Sequence, residues 1–398
     1  MNDWWVRPQL RSSRHPSAPI AAPLQLSSAS SSIEPDHRRV PALWGRSRHE
    51  SQHHESQQAS GDRSWQRRAL FGVGMTGAAF SATAGHGLIN VDAAIARTTN
   101  RPQQTLAPRR SASWNLNAVG APSAWARGIR GQGQVVAVID TGIDLTHPDL
   151  RRNLWRNRDE IPNNGRDDDG NGFVDDYRGW DFVRNRPRPR DRDGHGTHVA
   201  GIIAAADNGV GTTGVAPRAR LMPIRILGRN GASDATLARG IRYAVDNGAD
   251  VINLSLGKPS GAGVSLALRR SLHRARREGV SVVIAAGNER QQGAGRSGEP
   301  AFWASTRQLG IAVGATTFEN RTASFSNPTG NRQSNWFVVA PGEGIASTFR
   351  GGGTRRLSGT SMATPHVAGA VALVRSAAPR LRPGQVARLL MRTASVVE

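Results

Sequence analysis

From about Ser113 onward the chain alternates between two hydrophobic periods. QVVAVID, ARLMPIRIL, ADVINLSLG, VSVVIAAGN, LGIAVGA and WFVVAPG are short runs of contiguous, mostly β-branched or aliphatic residues, bounded by turn-forming residues. Runs of this kind predict strands buried on both faces. Between them HGTHVAGIIAAA, DATLARGIRYAVDNG and LALRRSLHRARREG repeat apolar residues at spacings of three and four, which predicts helices. The last two patterns stop at Gly248 and Gly279, the residue type that tolerates the left-handed conformation ending a helix. Strands alternating with helices predict an α/β fold, a doubly wound, mostly parallel sheet with helices on both faces. Functional groups are expected beyond the carboxyl ends of its strands.

The first part of the chain lacks this alternation. Residues 1–66 are polar and Ser-rich, and a segment of that composition is expected to be disordered. The adjacent His53 and His54 lie in this tract, where nothing would hold them around a metal. Residues 67–112 differ again. Arg67-Arg68 precede the small-residue apolar run ALFGVGMTGAAFSATAG, a pattern similar to a twin-arginine export signal, with Ala94-Ile95-Ala96 as a cleavage site. On that reading the protein is secreted or periplasmic. The expected organisation is therefore a leader over 1–66, a signal-like or linker segment over 67–112, and a catalytic-size domain over 113–398. No apolar run is long enough for a membrane span.

Composition narrows the chemistry. The chain contains no cysteine, which excludes disulfides, thiol nucleophiles and thiolate metal sites. Its formal net charge is +22, but Lys258 is the sole lysine and the arginines are scattered. No basic face interleaved with aromatics emerges, so the charge reads as compositional bias, and no nucleic-acid partner is expected. A monomer is expected.

Three segments carry candidate chemistry. VVAVIDTGIDLTHPDL puts Asp140 at the carboxyl end of a strand. DRDGHGTHVAG puts His195 at a helix start, and LSGTSMATPHVAGAVALV puts Ser361 at the opening of a long apolar helix. A serine hydroxyl needs an adjacent base to become a nucleophile at neutral pH, and a carboxylate can orient that base. A fourth segment, GRDDDGNGFVDD, places Asp167, Asp169, Asn171, Gly172 and Asp175 in the first nine positions of a calcium-loop register, with Arg178 where the twelfth-position Glu would stand. The segment is either a calcium loop or an acidic solvated one.

The three segments, in this order, resemble the subtilase family of serine proteases from about Trp114 to the chain end. SLG at 255–257, AAGN at 285–288 and APG at 340–342 fit the same pattern. The resemblance implies a serine endopeptidase acting on proteins or peptides through Asp140, His195 and Ser361. It also implies Asn288 as oxyanion donor, Ser255, Leu256 and Gly257 as the substrate-pairing strand, and Ala286, Gly287 and Glu289 beside the pocket preceding the cleaved bond. It further implies a structural calcium held by Asp149, the Asn208 side chain and the carbonyls of Ala206, Val210 and Thr212. No catalytic cofactor is implied.

Two departures accompany the resemblance. Residues 1–110 lack the strand-helix pattern of the family's propeptide. The family's terminal pattern, G-x-G-L-I-N-V-x-A-A, is absent from the carboxyl end, yet GHGLINVDAAIA stands at 85–96. That stretch is either a displaced terminus, with Leu88, Ile89 and Val91 packed on the domain, or the end of an export signal. Asn90 and Asp92 are unwelcome in an apolar signal core. Two other functions compete. An aspartic protease requires two D-T-G or D-S-G half-sites, and Asp140 supplies one. A catalytically inert binding module of the same fold typically lacks a triad residue or the oxyanion Asn.

Overall fold

The apolar runs become strands whose successive side chains enter opposite layers. In β1 (Val135–Asp140), Val136 and Val138 join one buried cluster, while Ala137 and Ile139 join the other. The same alternation holds through β4 (Arg220–Arg225), β5 (Val251–Leu254), β6 (Ser281–Ala285), β7 (Ile311–Thr316) and β8 (Phe337–Pro341). With two short strands, β2 (Trp180–Asp181) and β3 (Arg186–Pro187), they form an eight-stranded sheet in the order β3-β2-β4-β1-β5-β6-β7-β8, parallel throughout except for the β2–β3 pair. The computed structural model describes residues 79–103, 114–333 and 335–397. The leader over 1–66 and Arg67-Arg68 lie outside the described residues.

Helices cover both faces, as a doubly wound sheet requires. One face carries α5 (Asp234–Asp246), α6 (Leu266–Arg277) and the short α7 (Ala301–Thr306). The other carries α4 (His195–Ala204), α8 (Thr360–Ala377), α9 (Pro383–Arg392) and three shorter helices, α1 (Val91–Thr99), α2 (Trp114–Ala118) and α3 (Ala121–Ala126). Ser233 and Ser265 cap α5 and α6 by accepting from Thr236 and Leu268 N–H groups. Gly248 and Gly279 lie just past their ends with φ of 73° and 80°, as the sequence predicted. An antiparallel hairpin of β9 (Ile345–Phe349) and β10 (Gly353–Leu357) stands apart from the sheet and packs on α4. Among the described residues no helix is long and apolar enough to cross a membrane.

The segment at 85–96 is docked. His86 N–H donates to the Phe337 carbonyl at 3.1 Å, Val339 N–H to Gly87 at 2.9 Å and Ile89 N–H to Val339 at 3.2 Å, extending the sheet beyond β8. On its other side Leu88 exchanges two backbone hydrogen bonds with Ser395, of 3.0 and 2.8 Å. Leu88 enters one apolar cluster, and Ile89, Val91 and Ile95 enter the other. Burying each such side chain contributes about 1.5–3 kcal/mol. The polar residues foreign to a signal core have structural work. Asn90 Oδ1 caps α1 by accepting from Ala93 N–H, and Asp92 pairs with Arg127 at 2.7 Å. Ala94, Ile95 and Ala96, the candidate cleavage site, lie buried within this helix.

Candidate active site

Asp140 ends β1, at the carboxyl edge of the sheet, and His195 opens α4. The two side chains are buried, and His195 Nδ1 lies 2.7 Å from Asp140 Oδ1. Because a carboxylate accepts, this contact fixes the proton on Nδ1 and leaves Nε2 as the basic nitrogen. Asp140 Oδ1 also accepts from Thr141 N–H at 2.7 Å. Gly194, immediately before His195, has φ of 114°, and a Cβ there would run into the Phe349 ring. Only glycine lets the chain enter α4 so close to the hairpin.

Ser361 sits in the first turn of α8, which packs beside α4. Its hydroxyl donates to the Ser255 carbonyl at 3.2 Å, and the Ser255 hydroxyl donates to the Ser361 carbonyl at 2.9 Å. Asn253 Nδ2 donates to that same Ser255 hydroxyl at 2.9 Å. The reciprocal pair ties the nucleophile candidate to the segment that follows β5. Leu256 is fully buried, so what this segment offers a ligand is its backbone and Gly257.

Asn288 follows β6 and reaches the same helix turn. Its Oδ1 accepts from Thr360 N–H and from the Thr360 hydroxyl, at 2.9 and 3.0 Å. The amide is thereby oriented, and its buried Nδ2 has no hydrogen-bond partner among the described residues. A buried donor held in place and unused is costly unless something else accepts from it. Gly287 (φ 102°) donates to the Thr360 hydroxyl at 3.1 Å. Glu289 is held by Asn327, whose Nδ2 donates to Glu289 Oε2 at 2.6 Å while its Oδ1 accepts from Glu289 N–H at 2.8 Å. Ala286 is buried between these groups.

One organising residue escaped the sequence reading, although it lies in the motif quoted for His195. Asp191 accepts from Thr141 Oγ1 at 2.9 Å and from the N–H groups of Asp193 and Gly194 at 2.9 Å each. Its other oxygen accepts from the Thr197 N–H and hydroxyl at 2.9 and 2.7 Å. One carboxylate thus joins the residue after Asp140 to the loop and helix carrying His195. The β9–β10 hairpin supports α4 from outside. The Ser347 and Thr348 hydroxyls donate to the carbonyls of His198 and Thr197, both at 2.8 Å. His198 Nε2 faces two carbonyls, of Ile345 and Arg355, and must carry the proton. Burial holds His198 neutral, lowering its pKa to about 3, and likewise lowers that of His366 in α8 to about 4.

The candidate cation residues divide into two groups. Asp149 is buried, and its carboxylate accepts from Asn208 Nδ2 at 3.3 Å and from Thr212 N–H at 3.2 Å, while its carbonyl accepts from Ala206 N–H at 3.0 Å. Val210 is exposed in the same loop. The acidic segment is arranged differently from its sequence register. Asp167 is turned to the N–H groups of Asn171 and Gly172, and Asp175 to those of Asn164 and Gly165. Asp169 instead converges with Glu160 and Asp176, neither of which was in the expected set. Asn171 takes a supporting place, donating from Nδ2 to Asp169 and Asp176 at 2.9 and 3.1 Å. Burial, with the charges of neighbouring carboxylates, raises the pKa of Glu160 and of Asp176. Glu160 was not legible because it lies ahead of the motif and joins it only through the folded turn.

Asp140, His195, Ser361 and Asn288 come from four separate elements, in the chain order Asp, His, Asn, Ser, around the carboxyl edge of one sheet. Residues 131–398 match the model of the subtilase family. The chain belongs to the subtilase family. Members are serine-type endopeptidases. Subtilisin Savinase of Lederbergia lenta is 42% identical over 286 residues, covering 72% of this chain and 92% of that protein. An alkaline protease of Alkalihalobacillus alcalophilus is 41% identical over 286 residues, 72% of this chain and 65% of that protein. Alkaline elastase YaB of Bacillus sp. strain YaB is 38% identical over 283 residues, 71% and 65% of the two chains. This subtilase therefore spans just under two thirds of the longer relatives and nearly all of the shorter one.

Proposed function

We propose that this subtilase hydrolyses internal peptide bonds of protein substrates through an acyl-enzyme at Ser361. The hydrogen bond between His195 Nδ1 and Asp140 carries the reading, since it leaves Nε2 as the base. Ser361 Oγ attacks the scissile carbonyl carbon as His195 Nε2 takes its proton. The tetrahedral oxyanion is met by Asn288 Nδ2 and by the N–H of Ser361 in the first helical turn. Removal of one such donor costs about a hundred- to a thousandfold in turnover. His195 then returns the proton to the leaving amine, the C–N bond breaks, and water hydrolyses the ester by the same route. Asp140 holds the imidazole tautomer and stabilises the imidazolium.

The substrate backbone adds as a strand along Ser255, Leu256 and Gly257, which makes affinity tolerant of sequence. The side chain preceding the cleaved bond lies near Ala286, Gly287 and Glu289. A calcium ion at Asp149, with the Asn208 side chain and the carbonyls of Ala206, Val210 and Thr212, stabilises the loop after α4. The protein works as an exported monomer, in the periplasm or outside the cell, and engages no nucleic acid.

Hydrolysis of fluorescently labelled casein tests the central claim. Ser361→Ala should abolish it while the melting temperature stays within a few degrees. A serine-directed phosphonate should add to Ser361, as seen by peptide mass. Full activity in Ser361→Ala would overturn the mechanism.

A further inference from the structure

The loop joining the Asp149 segment to β2 gathers negative charge, two of its three carboxylates buried, without an ion pair to any of them among the described residues. Glu160, Asp169 and Asp176 each offer one carboxylate oxygen, all within 4.8 Å of one another. Glu160 is only 3% exposed. Its Oε1 accepts from Asp168 N–H at 2.7 Å, but its buried Oε2 has no hydrogen-bond partner among the described residues. Asp176 is fully buried. Among the described residues none of the three forms an ion pair with an arginine. Arg156 and Arg178, which flank the segment in the chain, lie over the Tyr177 ring instead.

The neutral side chains around the trio hold it in one shape. Asn157 Nδ2 donates to Asp169 at 2.9 Å and to Asp176 at 2.7 Å, and Asn171 Nδ2 donates to the same pair. The buried Tyr243 hydroxyl, from α5, donates to Asp176 Oδ2 at 2.5 Å. Such outer hydrogen bonds orient ligands and are what a metal site needs beyond its first contacts. Three carboxylates at one point, one with an orphaned buried oxygen, repel one another unless a cation or a proton lies between them.

We infer that Glu160, Asp169 and Asp176 bind a hard divalent cation of the calcium class, at a site separate from Asp149 and with a different ligand set from the motif's own register. Oxygen-only donors favour such an ion over softer metals. The ion would fix the loop against α5 through Asp176 and Tyr243, and so fix the entry into β2 at the edge of the sheet.

The test uses the full chain carrying Ser361→Ala, so that self-digestion does not intervene, with terbium(III) as the probe. Tyr243 is placed to sensitise terbium emission from the site. Emission should be saturable and displaced by calcium. Glu160→Gln and Asp169→Asn should weaken terbium binding at least tenfold, whereas Asp167→Asn, Asp175→Asn and Asp149→Asn should leave the tyrosine-sensitised signal unchanged. In chelator Glu160→Gln should melt above its parent, having lost a repelling charge, and in calcium below it. That crossover distinguishes a lost ligand from a damaged fold. Parent-like terbium affinity in Glu160→Gln, or loss of the signal in Asp167→Asn, would overturn the assignment. Asp169 is exposed, so Asp169→Asn serves where Glu160→Gln fails to fold.

Discussion

The catalytic cleft and the acidic loop are both built on carboxylates, but they balance charge in different ways. In the cleft, Asp191 meets an N–H or O–H donor at every turn, and Asp140 Oδ1 meets two. Asp140 Oδ2, buried without a hydrogen-bond donor among the described residues, belongs to the residue that touches His195, so positive charge arrives whenever the ring is protonated. In the loop, Glu160, Asp169 and Asp176 share a few amide donors and one tyrosine hydroxyl, and none forms an ion pair among the described residues. The chain itself supplies the donors of the first region, whereas the second leaves charge that a bound cation would balance. Chemistry and stability should therefore respond to different perturbations.

The sharpest break of that contrast is Asp140→Asn. It keeps the shape but favours the wrong imidazole tautomer, and should lower kcat about ten-thousandfold, with terbium binding at the loop untouched. Next comes Asp191→Ala, which frees both motifs at once. Small misplacement of reacting groups costs about a hundredfold, so kcat should fall by that order with KM little changed. Asp191→Asn, retaining one acceptor, should recover part of the loss. A fall in KM-dependent binding alone, with kcat intact, would mean that Asp191 does not position the pair. Excess chelator should do the reverse of both variants. Initial rates on a small peptide should hold, while stability drops by about 2.7 kcal/mol for a site that calcium occupies at a hundredfold excess over its Kd, read as a lower melting temperature. An unchanged melt would leave the loop's charge to solvent.

The last effect concerns acid. His198 and His366 stay neutral in the fold down to pKa values of about 3 and 4, but protonate near pH 6.5 when unfolded. Between those values the unfolded chain binds more protons, so each residue favours unfolding as pH falls, by about 1.4 kcal/mol per pH unit. Denaturant melts from pH 6.5 down to 4.5 should show the two contributions summed, and His366→Asn should roughly halve the slope.

Much of the fold was legible because its strands are continuous in hydrophobicity. All six predicted runs became β1 and β4 to β8, and the three predicted helices became α4 to α6. The short strands β2 and β3 and the β9–β10 hairpin carry no such run. GTRRL is exposed at four of its five positions and is held by pairing with β9. The catalytic candidates were legible because glycine-rich turns keep each beside its own motif. Asp191 and Glu160 were not, because their value lies in partners brought by folding: Thr141 for one, Asp169 and Asp176 for the other. Asn90 and Asp92 were readable as misfits in a signal core, but the carboxyl-terminal contact of Leu88 was not.

That contact bears on the order in which the molecule is made. Leu88 emerges before any of the candidate catalytic residues, yet one of its two strand neighbours is Ser395, which follows all of them in the chain. Contacts so distant along the chain form late, since the loop they close must first be complete. This edge of the sheet thus stays open until α9 and Ser395 have left the ribosome. Asp140, His195, Asn288 and Ser361 are all synthesised before that edge can close.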